Sequence, residues 1–128
     1  MDLNNTQILI CDDSVLSRKQ VMDAVNSFAE VATYIEAKNG DEAVALYKEH
    51  HPHLVFMDIV MPEKDGTTAL SEIISYDSDA LVIVISSIGT QGQLKMAIEN
   101  GAKDFIQKPI DRAQLKRVLE ARLRLGGN

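Results

Sequence analysis

Two apolar runs, HLVFM over residues 53–57 and ALVIVIS over residues 80–86, constrain the fold more than any other feature of the chain. Each is short, rich in β-branched or aromatic residues, and nearly continuous, with no polar residue at alternate positions. A strand with one face in water would alternate; a continuous run requires apolar cover on both faces. Three further runs, QILIC (7–11), VATYI (31–35) and KDFIQ (103–107), have the same length and flank the first two. Amphipathic segments lie between them. Val15, Met22, Val25 and Phe28 fall near helical spacing, as do Ala43, Leu46 and Tyr47, then Ala69, Leu70, Ile73 and Ile74. Leu94, Ala97, Ile98 and Gly101 continue the series, and Leu115, Val118, Leu119 and Arg122 mark a fifth helix with a polar outer face. Asn39 with Glu42 reads as a capping box, and Gly101 as a left-handed C-terminal residue.

Five strand-then-helix units predict an α/β domain of the doubly wound (βα)5 kind, an open parallel sheet with right-handed crossovers and helices on both faces. The 128 residues fit one domain, large enough for one core without staples. Cys11 is the only cysteine, which excludes an internal disulfide and fits a reducing cytosol. We read no leader and no apolar stretch near the ~20 residues that span a bilayer, so the expectation is a soluble, cytoplasmic protein with no membrane insertion. Nineteen acids against 13 bases give a formal charge of −6, which repels phosphate backbones and argues against direct nucleic-acid binding. The final GGN reads as a short flexible tail or the start of a linker.

The polar residues at the ends of the runs carry the chemistry. Asp12 and Asp13 follow the first strand, Asp58 the third, Ser86 the fourth, and Lys108 with Pro109 the fifth. Ligands of open α/β sheets bind beyond the carboxyl ends of the strands. With strand order 2-1-3-4-5, strands one and three are neighbours and three carboxylates gather in one crevice. One lysine cannot neutralise them, and a hard, oxygen-seeking divalent ion such as Mg²⁺ can. A carboxylate beside such an ion is a nucleophile able to accept a phosphoryl group, because cations neutralise its equatorial oxygens. Asp58 would attack, Asp12 and Asp13 would hold the metal, Lys108 would neutralise one phosphoryl oxygen, and the Ser86 hydroxyl would donate to another.

The motifs ILICDDS, AKNGDEAV, VFMDIVMPEKDG, VIVISS and GAKDFIQKP stand in this order in the chain. In these the chain resembles the receiver domain of two-component response regulators, of the stand-alone chemotaxis type, over residues 5 to 125. The resemblance implies a flavodoxin-like fold and one receiver domain over residues 1–128. It implies phosphorylation of Asp58 by a histidine kinase or phosphotransfer protein, and a metal shell of Asp13, Asp58 and the Val60 backbone carbonyl, with Asp12 bound directly or through water. Mg²⁺ is the implied ion, with Mn²⁺ as its substitute. A cis bond between Lys108 and Pro109, a structural glycine at Gly66, and a switch linking Ser86 to Phe105 are implied as well. So is a change of the surface formed by the fourth helix, fifth strand and fifth helix, which controls an output protein, with room for an auxiliary phosphatase. The chain would then be a monomer or a phosphorylation-dependent dimer. It would act as no enzyme toward external substrates, catalysing only its own phosphorylation and dephosphorylation. Cys11, Ser87 and Phe105 depart from the common valine, alanine and tyrosine of the family.

Two rivals fit less well. A phosphatase of the haloacid dehalogenase type carries a second acid two residues after its nucleophile, where this chain has Val60. A flavin-binding module cradles an anionic phosphate in its first loop, which CDDSVLS would repel. Taken alone, Asp13 or Ser14 would read as a helix N-cap, a reading that the joint placement of the strand-end residues outweighs for Asp13; simpler readings suffice for His50, His51 and His53 as a solvated connection, Asp77 and Asp79 as a turn, Met57, Met61 and Met96 as packing residues, and Cys11 as buried and inert.

Overall fold

A computed structural model describes residues 2–59, 61, 64–87 and 91–123, without the side chains of residues 2, 31, 32 and 93. The elements alternate as the sequence requires. They are β1 (Asp2–Cys11), α1 (Val15–Asn26), β2 (Glu30–Ala37), α2 (Gly40–His50), β3 (Leu54–Met57), α3 (Gly66–Tyr76), β4 (Val82–Ser86), α4 (Gln91–Glu99), β5 (Asp104–Gln107) and α5 (Arg112–Leu123). All pairings are parallel, and the strand order is β2-β1-β3-β4-β5. None of the helices among the described residues is long and apolar enough to cross a membrane.

The continuous apolar runs are explained by two cores, one on each face. Leu9, Cys11, Val55, Met57, Val82 and Val84 point to one face and pack against α2 and α3 through Ala43, Tyr47, Leu70 and Ile73. Their neighbours Ile8, Ile10, Leu54, Phe56, Ile83 and Ile85 point to the other and meet Val21, Val25, Leu115 and Leu119 of α1 and α5. Every second residue serves the same layer, and a shift by one would exchange the layers of a whole strand.

Helix ends follow local chemistry. Ser14, rather than Asp13, is the N-cap of α1, its hydroxyl accepting the Ser17 N–H. Asn39 caps α2 by accepting the Glu42 N–H at 2.8 Å, while Glu42 reaches back to the Lys38 N–H at 3.0 Å. Gly101, at φ 107°, closes α4: its N–H donates to Ile98 and that of Ala102 to Ala97, the paired bonds of a Schellman ending. Among the histidines, His51 ends α2 in the left-handed region and meets the Tyr76 hydroxyl, and the His53 ring accepts the Gln7 N–H. Asp77 and Asp79 form a turn after α3, where the Asp77 carboxylate accepts the Asp79 N–H.

Some expectations need correction. β1 begins at Asp2 instead of residue 7: Asp2 and Leu3 pair with β2, and a register shift before Gln7 takes up the polar residues between. Val15 is 69% exposed, because α1 is buried only along its later turns, through Val21, Ala24 and Val25. Among the described side chains of α4 only Ala97 is buried, whereas Leu94, Ile98 and Met96 are exposed, so Met96 is not a packing residue. This nine-residue helix touches the sheet through its smallest apolar side chain.

Tyr47 ties α2 to α3, its hydroxyl donating to the Asp77 carboxylate at 2.7 Å. That bond, foremost, holds the Asp77 carboxyl below its ordinary value of 3.8. A depressed carboxylate pKa contributes stability above the unfolded value and loses it as pH falls through the folded one. Tyr47→Phe is expected to cost about 1 kcal/mol at neutral pH. In urea titrations the gap from wild type should close once Asp77 protonates; a gap independent of pH would assign the loss to packing.

Candidate functional site

Strand register builds the site before any side chain is considered. Cys11 pairs with Met57, so Asp12 and Asp58, each one residue further on, leave the sheet side by side. Their backbones stay in step: the Asp58 N–H donates to the Cys11 carbonyl at 2.9 Å, and the Asp12 N–H to the Ala37 carbonyl at 3.0 Å. Ser86 pairs with Gln107, and its carbonyl accepts the Lys108 N–H at 2.9 Å. The strand ends thus bring residues from four parts of the chain to one rim.

Asp12, Asp13 and Asp58 each place a carboxylate oxygen within 4.8 Å of the others. Asp12 is buried, Asp58 partly buried and Asp13 exposed. Lys108 Nζ lies 2.8 Å from Asp12 Oδ2, 3.2 Å from Asp58 Oδ2 and 3.4 Å from Ser17 Oγ. The other Asp12 oxygen accepts the Ser14 N–H at 2.9 Å. Burial by itself would lower the Lys108 pKa, but the hydrogen bond to Asp12 and the charges of Asp58 and Asp12 outweigh it, so the amine is held above its ordinary value and stays charged. At an effective dielectric of about 20, two like charges this close repel by roughly 3–4 kcal/mol. One ammonium among three carboxylates leaves negative charge uncompensated. Hard oxygen donors, partly open to solvent, are the donor set a divalent cation takes, and these three residues could hold one.

The loop after β3 is seated by two glycines. The Gly66 N–H donates to the Ile59 carbonyl at 2.7 Å, and a Cβ there would collide with the Asp58 carbonyl. The Gly40 N–H donates to the Lys64 carbonyl at 3.0 Å, and a Cβ on Gly40 would strike that same carbonyl. Lys64 also pairs with Asp41 at 3.0 Å and with Glu72, tying the loop to α2 and α3.

Ser86 is fully buried at the end of β4. Phe105 is half-buried and packs on the same core as Val84, its partner in the ladder. Since side chains alternate, Ser86 projects from the face that carries Val84, two residues further along. The Lys108–Pro109 bond is cis. Val60, expected to offer its carbonyl to the metal, lies outside the described residues, as does the GGN tail. Cys11 is buried beneath the site, and burial, reinforced by the Asp12 charge, pushes its thiol pKa up, leaving a poor nucleophile. Sequence reasoning missed Ser17, Arg18 and Glu36. Arg18 donates to the Asp12 carbonyl at 2.7 Å and to Glu36 at 2.9 Å. No local pattern marks Glu36, which reaches the site only through the pairing of β2 with β1.

The model of the response regulator receiver domain matches residues 8–120. The chemotaxis protein CheY of Bacillus subtilis is 50% identical over 117 residues, covering 90% of this chain and 92% of that protein. CheY of Thermotoga maritima is 46% identical over 116 residues, with 90% and 92% covered. Among solved structures, the CheX–CheY–BeF₃–Mg²⁺ complex from Borrelia burgdorferi contains a chain that superposes with a TM-score of 0.82 at 41% identity, covering 91% of this chain and 88% of that one.

Gly66→Ala is expected to cost about 1–3 kcal/mol through the collision with the Asp58 backbone. Thermal unfolding checks the loss, and a variant as stable as wild type would mean that the loop repacks without strain.

Proposed function

The chain belongs to the response regulator receiver domain family, phosphoryl-accepting switches of two-component signalling, and from that premise we propose that Asp58 is its phosphoacceptor. The observation that carries this reading is the meeting of Asp58 with Asp12, Asp13 and a protonated Lys108 on one rim. A carboxylate oxygen of Asp58 attacks the phosphorus of a phosphohistidine on a histidine kinase or phosphotransfer protein. The new O–P bond forms as the N–P bond breaks, and the imidazole leaves with its electron pair and takes up a proton. Lys108 neutralises one phosphoryl oxygen, and the Ser86 hydroxyl donates to another. Asp13, Asp58 and the Val60 carbonyl, with Asp12 directly or through water, would hold Mg²⁺, for which Mn²⁺ substitutes. Bound there, the ion supplies charge neutralisation to the transferring phosphoryl group. The Borrelia complex that contains Mg²⁺ and beryllofluoride supports this choice. Hydrolysis by water then releases phosphate and restores the carboxylate. With Val60 where a phosphatase would carry its second acid, the site turns over no external ester, and its catalysis is confined to its own acyl phosphate.

We read residues 1–128 as one receiver domain with its core over 5–125, acting in the cytoplasm as a monomer or a phosphorylation-dependent dimer. The phosphoryl group draws Ser86 inward, Phe105 moves toward the vacated space, and the surface of α4, β5 and α5 changes to control an output protein. An auxiliary phosphatase is a further candidate partner, and the CheX–CheY complex from Borrelia supports a CheX-like protein as another. The exposed Leu94, Met96 and Ile98 on α4 support an output surface there. Moving such a switch from 1:99 to 99:1 needs about 5.5 kcal/mol of differential stabilisation, within reach of a charged group that makes several new hydrogen bonds.

Treating the wild type with a small-molecule phosphodonor and Mg²⁺ should add the mass of one phosphoryl group. Asp58→Asn should abolish that gain, and its persistence would move the acceptor elsewhere. Phe105→Ala should take up phosphate normally yet lose phosphorylation-dependent binding to its output protein; equal loss of both would argue against the relay.

A further inference from the structure

We propose that Arg18 is a positioning residue that clamps the peptide between Asp12 and Asp13 and thereby sets where both carboxylates fall; this rests on the divalent-cation reading above. The backbone of Asp12 leaves the sheet half-paired. Its N–H donates to Ala37, the last residue of β2, so the strand offers no further donor for the Asp12 carbonyl. Arg18 supplies that donor from α1. Its Nη1 donates to the Asp12 carbonyl at 2.7 Å, while its Nε donates to Glu36 Oε1 at 2.9 Å. The Arg18 side chain is only 13% exposed, although it is charged and lies one turn into a surface helix.

A guanidinium is a rigid planar fork, so two engaged donors fix its plane. The carbonyl it holds belongs to the planar peptide that joins the two acids, so its orientation constrains both. The Ser14 N–H already fixes one oxygen of Asp12, and the clamp extends this order to the backbone of the exposed Asp13. Both Arg18 bonds go to a main-chain carbonyl and to Glu36, which makes its action on the site indirect.

The sign of one measurement separates a clamp from a mere nearby charge. A positive charge beside a cation site opposes cation uptake, so a charge-only Arg18 would, on removal, leave binding tighter. A clamp on removal leaves it weaker, by about tenfold or more if Arg18 behaves as other outer-shell partners of metal ligands do. Mn²⁺ binding to the full chain by calorimetry and electron paramagnetic resonance, with folding checked by circular dichroism, tests this in wild type, Arg18→Gln and Arg18→Lys. The clamp expects weaker binding in both, because lysine keeps the charge without the fork. Arg18→Lys carries the test if Arg18→Gln does not fold. Binding equal to or tighter than wild type in a folded variant overturns the clamp alone, whereas absence of Mn²⁺ uptake by wild type overturns the metal reading and the clamp with it.

Discussion

Three carboxylates held together at the rim of a parallel sheet are the constraint on which the remaining structure depends. Left to itself such a cluster would disperse, because each close pair repels by several times the thermal energy. It persists because the acids are not free to move. Asp12 and Asp58 are the next residues of two hydrogen-bonded strands, and their N–H groups remain in the ladder. Lys108 comes from a third strand to neutralise part of the charge. The sheet does for these groups what water and flexibility would undo, and the remaining negative charge is one that a divalent cation could offset.

Holding charges in place needs a stiff support, and the two-sided core provides it. Residues of β1, β3 and β4 are buried in alternation on both faces, so none of these strands can slip without exposing apolar surface. Stiffness falls off toward the other side of the sheet. Among its described side chains α4 buries only Ala97 and shows three larger apolar residues to solvent, and β5 is covered less completely than β4. Elements with little buried area rearrange at low cost. The molecule therefore pairs a rigid acidic rim with a weakly anchored surface, and in the switch proposed above Ser86, at the end of one strand, and Phe105, on the next, would connect them. That division suits a domain whose chemistry is local and whose output lies at a distance.

Much of this was legible in the chain. Continuous apolar runs reveal strands covered on both faces, and polar residues just after them mark the rim, because that is where the ladder ends. The site could be read from position alone, since Asp12, Asp58, Ser86 and Lys108 are all strand-terminal. What escaped depends on contacts distant in sequence. The N-terminal part of β1 was hidden by Asn4, Asn5 and Thr6, whose polarity breaks the pattern although Leu3 beyond them is fully buried. Helical spacing placed Val15, Leu94 and Ile98 on buried faces, yet spacing cannot tell how far a helix overhangs its sheet. The Arg18–Glu36 pair and the Lys64 ties to Asp41 and Glu72 join elements whose proximity only the assembled fold creates.

The geometry of the rim can be checked in a crystal structure of the wild type grown with Mg²⁺ and beryllofluoride, a phosphoryl mimic. Such a crystal is expected to show the fluoride adduct on Asp58, one Mg²⁺ bound by Asp13 and Asp58, and Lys108 turned to the fluorines. An adduct on another residue, or an ion bound away from these carboxylates, would contradict the proposed site.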